Sequence, residues 1–322
     1  MIKSLKSVCC SLWLAAGALW LAAGALWLAA GALLLTVNSY FVHASEVDPL
    51  EVRPTLVQPQ VSLPSRLVEV PAVNPGEYFV PPNIEDIPDD KYGDMVRLGR
   101  DIFVNTQKYG KRYVRNGLNC SSCHLAEGRQ PYAAPMWAAY GKYPMYRNKN
   151  RSVVTVQERI QDCFKYSLDG ISPTLDAPEL EAIVTYMHWL SIKVPIGVTL
   201  PGRGFASINK TRDPSHINGE IIYRTQCAMC HGDDGQGKKL PNGDYQFPPV
   251  WGSMSFNRGA GMNKIKTAAQ FIRANMPLGA GFTLTDDEAL DVAFYMWIQY
   301  RPDDPRTSWF HNRVGPKPGG GR

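Results

Sequence analysis

Seven cysteines fall into groups by spacing, and the spacing decides what chemistry each group can do. Cys120 and Cys123 belong to CSSCH, which ends at His124, while Cys227 and Cys230 belong to CAMCH, which ends at His231. A C-x-x-C-H run is the attachment signature of a c-type haem: two thiols add to the vinyl groups and the following imidazole binds the iron. A zinc site or a redox dithiol would not need the adjacent histidine in both copies. Two covalently bound c-type haems are therefore expected. Cys9 and Cys10 lie beside an apolar N-terminal run, without the small residues that a lipoprotein cleavage site needs before its cysteine. Cys163 is left over, in TVQERIQDCFKYSLDG.

Each iron also wants a ligand on its other face. In KTAAQFIRANMPLGAG, Thr267 and Gln270 read as a capping box, Phe271 and Ile272 continue the helix, and Met276 precedes a proline. Methionine is a common partner of histidine on such an iron, so His231 and Met276 are the expected pair, with Met254 and Met262 as alternatives. The first half repeats the grammar: Thr155 and Glu158 form a capping box, Ile160 and Phe164 follow at helical spacing, and Cys163 stands near the methionine's place. A thiolate ligand donates charge and lowers the potential, which suggests chemistry at the first haem. The other reading makes Cys163 a buried free thiol and gives the iron to Met136, Met145 or Met187. Arg159 and Ser167 lie four residues to either side of Cys163, so a continuous helix projects all three on one face. A guanidinium beside sulfur lowers its pKa and offers an oxyanion a forked site. Arg147, Lys149 and Arg151 add positive charge upstream, and the combination points to oxidation of a small sulfur anion.

The elements that must position these residues come in two matching sets. Residues 1–44 read as a secretory leader, with Lys3 and Lys6 before an apolar run at 12–37 that contains WLAAGAL three times; cleavage is expected after Ala44. Uncleaved, that run is long enough to anchor the chain in a bilayer, so the chain is expected to be periplasmic and membrane-bound only if the leader is retained. Residues 45–88 are rich in proline and read as an extended arm. Residues 89–200 and 215–305 each show a helix, a C-x-x-C-H run, a ligand loop and a closing helix, joined by a strap at 201–214, with a flexible tail at 306–322. In the first set Met95, Leu98, Ile102 and Phe103 form the stripe of the leading helix, and Asp176 with Glu179 box the closing one. In the second set a helix at 217–224 leads, and Thr285 with Glu288 box the closing helix. The expected fold is all-α: two cytochrome c-like haem domains in tandem behind an extended N-terminal arm. From Ser45 onward 32 basic and 29 acidic residues leave a mild excess of +3, and nothing in it points to nucleic acid.

Several of these stretches resemble the dihaem c-type thiosulfate dehydrogenases, which couple two thiosulfates to tetrathionate and sometimes run in reverse. The resemblance covers residues 87–301 and is carried by IPDDKYGDMVRLGRDIF, LNCSSCHLAEGRQPYAAPMW, YPMYR, ERIQDCFKYSLDG, CAMCHGDDGQG and RANMP. It implies a first, catalytic haem between His124 and Cys163, a second haem that passes electrons out, and Cys163 as both ligand and sulfur acceptor. It further implies that Arg159 and Ser167 contact substrate. A second arginine of the family, fourteen residues before the cysteine, corresponds here to Lys149, with Arg147 and Arg151 two residues to either side. Asn275 stands where some members carry a lysine before the methionine, so a lysine-for-methionine exchange is not available there. An external electron acceptor, such as a small cytochrome or a high-potential iron-sulfur protein, is the implied partner. Two rival readings are a dihaem electron carrier that binds no sulfur anion and a sulfur-transfer subunit that needs a partner protein's cysteine.

Overall fold

The computed structural model describes residues 77–307. The leader, most of the arm and nearly all of the tail lie outside the described residues. Within them, two helical halves follow one another, each built on a leading helix crossed by a closing helix. Helix α1 (Lys91–Val104) starts at Asp90, whose carboxylate accepts from the Gly93 amide at 2.8 Å. Helix α2 (Val156–Asp162) runs into a π-helical turn at Cys163–Ser167, and α3 (Pro178–Leu190) closes the first half. Helix α4 (His216–Ile222) also passes into a π-helical turn, Tyr223–Cys227, and α5 (Ile265–Asn275) and α6 (Asp286–Ile298) complete the second half.

The duplication extends to how the helices touch. A β-carbon built on Gly99 of α1 would lie 2.0 Å from the Ala182 carbonyl oxygen of α3, and one on Gly219 of α4 would lie 2.0 Å from the Asp291 carbonyl oxygen of α6. Only glycine lets either pair of backbones approach so closely. The Gly99 crossing turns Val96, Ile102 and Phe103 inward against Leu180, Ile183 and Tyr186. Burial of such side chains contributes about 1.5–3 kcal/mol each. It also corrects the expected stripe: Leu98 is exposed and Met95 half-buried, because the inward face is set by the glycine.

The expected capping boxes fare unevenly. Thr155 with Glu158 and Thr285 with Glu288 both close, each threonine hydroxyl accepting at 3.2 Å from the glutamate amide. Helix α3 instead begins with Ala177 as its cap and Pro178 in its first turn, while Glu179 pairs with Arg112 at 2.6 Å. Helix α5 starts at Ile265, ahead of Thr267, without a side-chain cap. Two short hairpins, absent from the all-α expectation, interrupt the helices: β1 (Met145–Arg147) pairs antiparallel with β2 (Ser152–Val154), and β3 (Lys238–Lys239) with β4 (Tyr245–Phe247).

The halves meet at the π-helical turn of the first. Gly117 donates to the Met254 carbonyl at 2.9 Å, and buried Asn116 donates to the carbonyls of Ser167 and Ser255. Asn257 donates its amide nitrogen to the Tyr166 carbonyl, and its side chain to the Lys165 carbonyl and the Asp169 carboxylate. The carbonyls of Lys165, Tyr166 and Ser167 all lie in the turn that carries Cys163. No helix among the described residues is long and apolar enough to cross a membrane.

Candidate active site

A cavity lies beside each C-x-x-C-H run. The first, about 300 Å³, is lined by Cys120, Cys123 and His124 on one side and by Arg159, Cys163 and Ser167 on the other. In the 3₁₀ turn Cys120–Ser122 the backbone reverses so that both thiols face inward. The His124 Nδ1 lies 2.8 Å from the Ala134 carbonyl oxygen. A carbonyl only accepts, so Nδ1 carries the proton and Nε2 keeps its lone pair for a metal. The second cavity, about 390 Å³, is lined by Cys227, Cys230, His231 and Met276. There His231 Nδ1 donates to the Pro248 carbonyl at 2.9 Å, which leaves Nε2 free in the same way. Paired thiols, an imidazole with a free Nε2 and a largely apolar wall fit a covalently attached haem in both places.

Cys163 is the first residue of the π-helical turn, where the Leu168 amide reaches back to the Cys163 carbonyl at 3.0 Å. Such single turns occur often at functional sites. Despite the change of pitch, Arg159, Cys163 and Ser167 still line one cavity, as their spacing predicts. Arg159 Nη1 donates to the Cys163 sulfur at 2.8 Å. Burial pushes the Cys163 thiol up, but the Arg159 charge, helped by neighbouring His124, outweighs it and brings the pKa down to about 7. Burial drives Cys120 and Cys123, in the same cavity, up to about 12. The cavity therefore holds one cysteine poised to be a thiolate near neutral pH.

Of the upstream cations, Arg147 rather than Lys149 reaches the cavity wall. Lys149 does not line the cavity; its ammonium donates to the Gly259 carbonyl at 2.8 Å and lies 3.5 Å from the centre of the Tyr166 ring. Arg147, on β1, faces the cavity instead and donates to the Tyr143 hydroxyl at 3.1 Å. The reason is strand alternation: Met145 and Arg147 share one face, Tyr146 is exposed on the other, and Lys149 sits beyond the strand in the hairpin turn. Arg203 is a third guanidinium on the cavity wall, and it was not among the expected site residues. Its signal was weak, an arginine flanked by Gly202 and Gly204 in what reads as a connecting strap. Among the described residues the first cavity thus has three arginines and no carboxylate in its lining, whereas the second has no arginine, lysine or carboxylate at all.

The methionines sort by cavity. Met136 and Met187 line the first cavity and Met145 does not; Met262 and Met296 share the second with Met276, and Met254 does not. Met276 ends α5, its extended backbone breaking the helix ahead of Pro277. His188, on α3, is an exposed residue held by Tyr92 at 2.8 Å and packed edge-on to Tyr92 and Tyr140, away from both cavities.

Residues 106–196 match a family described as "SoxA/TsdA, cytochrome c domain", and residues 215–296 match "Cytochrome C oxidase, cbb3-type, subunit III". The chain is 48% identical over 244 residues to the thiosulfate dehydrogenase of Stutzerimonas stutzeri (strain A1501), covering 75% of this chain and 79% of that protein. It is 47% identical over 236 residues to the thiosulfate dehydrogenase of Thiomonas intermedia (strain K12), covering 73% and 75%. Among solved structures, the as-isolated form of thiosulfate dehydrogenase (TsdBA) from Marichromatium purpuratum superimposes with a TM-score of 0.70 at 40% identity. That alignment takes in 74% of this chain and 53% of the other, so this chain spans about half the length of its solved relative. With both halves matched to cytochrome c families and relatives this close over most of their length, the chain is a two-haem cytochrome c that belongs to the thiosulfate dehydrogenase family.

Proposed function

We propose that the protein oxidises thiosulfate to tetrathionate in the first cavity and delivers the electrons through the second haem to an external acceptor. The observation that carries this reading is the charge contrast between the cavities: three guanidiniums and no carboxylate are in the lining of the one that holds Cys163, and the lining of the other has no such charge. A haem brings two carboxylates to either cavity, yet only the first is lined with guanidiniums, and that excess suits a dianionic substrate. In this reading Cys120, Cys123, His124 and Cys163 would hold the first haem, and Cys227, Cys230, His231 and Met276 would hold the second. The haems supply one-electron acceptance and, at the first site, a metal for sulfur.

The remaining chemistry belongs to the chain's own residues. Arg159 and Arg147, with the hydroxyl of Ser167, bind the sulfonate end of thiosulfate, and Arg147 takes the place expected for Lys149. Arg159 also holds Cys163 as a thiolate. The Cys163 sulfur bonds to the outer sulfur of thiosulfate with loss of two electrons, giving a thiosulfonate adduct. A second thiosulfate attacks the outer sulfur of that adduct, Cys163 leaves as a thiolate, and tetrathionate is released with no further redox change. The acceptor is a one-electron protein such as a small cytochrome or a high-potential iron-sulfur protein. An exported, periplasmic location is part of the proposal and rests on the leader, as does the division at 89–200, 201–214 and 215–305 on the repeated order of elements.

Thiosulfate-dependent reduction of ferricyanide by the purified protein, with tetrathionate measured as product, tests the proposal. Stoichiometric reduction and one tetrathionate per two electrons are expected. Failure of thiosulfate to reduce the protein would leave an electron carrier, and reduction only with an added protein thiol would favour sulfur transfer.

A further inference from the structure

The second cavity has no arginine, lysine or carboxylate in its lining, yet a charge is buried behind it. Arg301, just past the end of α6, is 2% exposed and lines neither cavity, so it is not open to a haem's own carboxylates. The backbone on both sides of it is pinned to one segment: the Gly252 amide donates to the Tyr300 carbonyl at 2.7 Å, and the Arg258 amide to the Pro302 carbonyl at 2.9 Å. Its guanidinium donates to the Met296 carbonyl at 2.9 Å and, at 3.4 and 3.5 Å, to the carbonyls of Val250 and Phe256. It also lies 4.2 Å from the centre of the Phe256 ring. Val250, Phe256 and Met296 all line the second cavity, so Arg301 grips that wall from outside it.

Among the described residues nothing acidic balances this guanidinium. It forms no ion pair, its Nε has no hydrogen-bond partner, and Arg258, the other charge acting on it, is also positive. Burial first, and then the Arg258 charge, lowers it to about 9, which leaves it charged at neutral pH. Holding backbone carbonyls is work that a neutral donor does without the several kcal/mol that burying a charge costs. A cation fixed behind this wall also acts on the charge inside it. Ferric iron carries one more positive charge than ferrous iron, so an uncompensated cation in surroundings of low dielectric favours the ferrous form.

We propose that Arg301 raises the reduction potential of the second haem through its buried charge, so that electrons released at the first cavity collect at the second. A thiolate ligand at the first haem acts in the opposite direction, and the two effects together set the direction of flow. The source of the electrons rests on the reading of the first cavity as the thiosulfate site; the effect of Arg301 on the potential does not.

The test is a redox titration of the purified two-haem protein in the visible haem bands, with dithionite and ferricyanide and no thiosulfate, resolved into two one-electron steps. Arg301→Gln is expected to lower the upper step by roughly tenfold in the equilibrium constant, about 59 mV for one electron, and to leave the lower step within about twofold. Arg301→Met removes the charge together with its desolvation cost, and the same shift is expected of it where the glutamine variant does not fold. Arg301→Lys, titrated at about pH 6 so that the ammonium is held, is expected to keep the upper step within about twofold of wild type. Unmoved steps in a folded neutral variant would make Arg301 a structural cap of α6 and overturn the proposal. A lysine variant shifted as far as the neutral ones would overturn it in favour of the shape of the wall. Movement of the lower step alone would overturn it by placing the field at the first haem. Failure of thiosulfate to reduce the wild-type protein would remove the thiosulfate reading and leave these shifts as they are.

Discussion

Cys163 and Cys120 share a cavity, yet one thiol sits at about 7 and the other at about 12, and the difference is one guanidinium at 2.8 Å and the facing imidazole. The pairing of Cys163 with Arg159 was legible in the sequence because four residues on a helix is a local relation. The choice between Lys149 and Arg147 was not, since it depends on a hairpin whose only signal is NKNR between MYR and SVV. Replacing Arg159 by Lys keeps the charge but removes the fork, so steady-state kinetics are expected to need roughly tenfold more thiosulfate with little change in the haem spectrum. Lys149 makes a prediction through pH. Burial, then the Arg306 charge, lowers its ammonium from 10.5 to about 8. Between those values the unfolded chain binds the extra proton, so this residue's contribution to stability rises with pH across the window. The unfolding free energy of wild type minus that of Lys149→Gln should increase from about pH 8 to about pH 10; a flat difference would show an ordinary exposed lysine.

At the scale of elements, motifs that depend on covalent or capping chemistry within a few residues could be read directly, as the caps of α2 and α6 show. Elements defined by packing could not. Glu179 was committed to Arg112 of another segment rather than to a cap, and the π-helical turn at Cys163 has no signature in residue type. What holds that turn comes from the other half of the molecule. Asn257, fully buried, satisfies two of its carbonyls and the Asp169 carboxylate. Asn257→Ala leaves the Lys165 carbonyl and Asp169 without their side-chain donor, and thermal or denaturant unfolding is expected to show a loss of roughly 1–3 kcal/mol. Helix α5 makes its own prediction, because it delivers Met276 at its end. Met276→Ala should abolish the methionine-to-iron charge-transfer band in the near infrared of the oxidised protein. Persistence of the band would transfer the ligand role to Met262 or Met296, which line the same cavity.

Across the whole molecule, the two cavities share a wall: Leu118, Asn119 and Cys123 line both. The first C-x-x-C-H segment is therefore also part of the second cavity's wall, a relation that no spacing within either half reveals. Joining two thiosulfates releases two electrons, and two abutting one-electron sites are the smallest arrangement that accepts both before the product leaves. In the proposed division of labour Cys163 is dispensable for electron storage but indispensable for the sulfur-sulfur bond. Cys163→Met separates the two roles, since methionine offers iron a sulfur ligand yet cannot form a bond to the outer sulfur of thiosulfate. The most direct measurement is tetrathionate formation by this variant with thiosulfate and ferricyanide, after both haems have been confirmed by pyridine haemochrome. The expected result is a folded protein with two haems whose tetrathionate rate has fallen roughly a thousandfold or more. A rate close to that of the wild type would reduce the first haem to a relay and contradict covalent catalysis at Cys163.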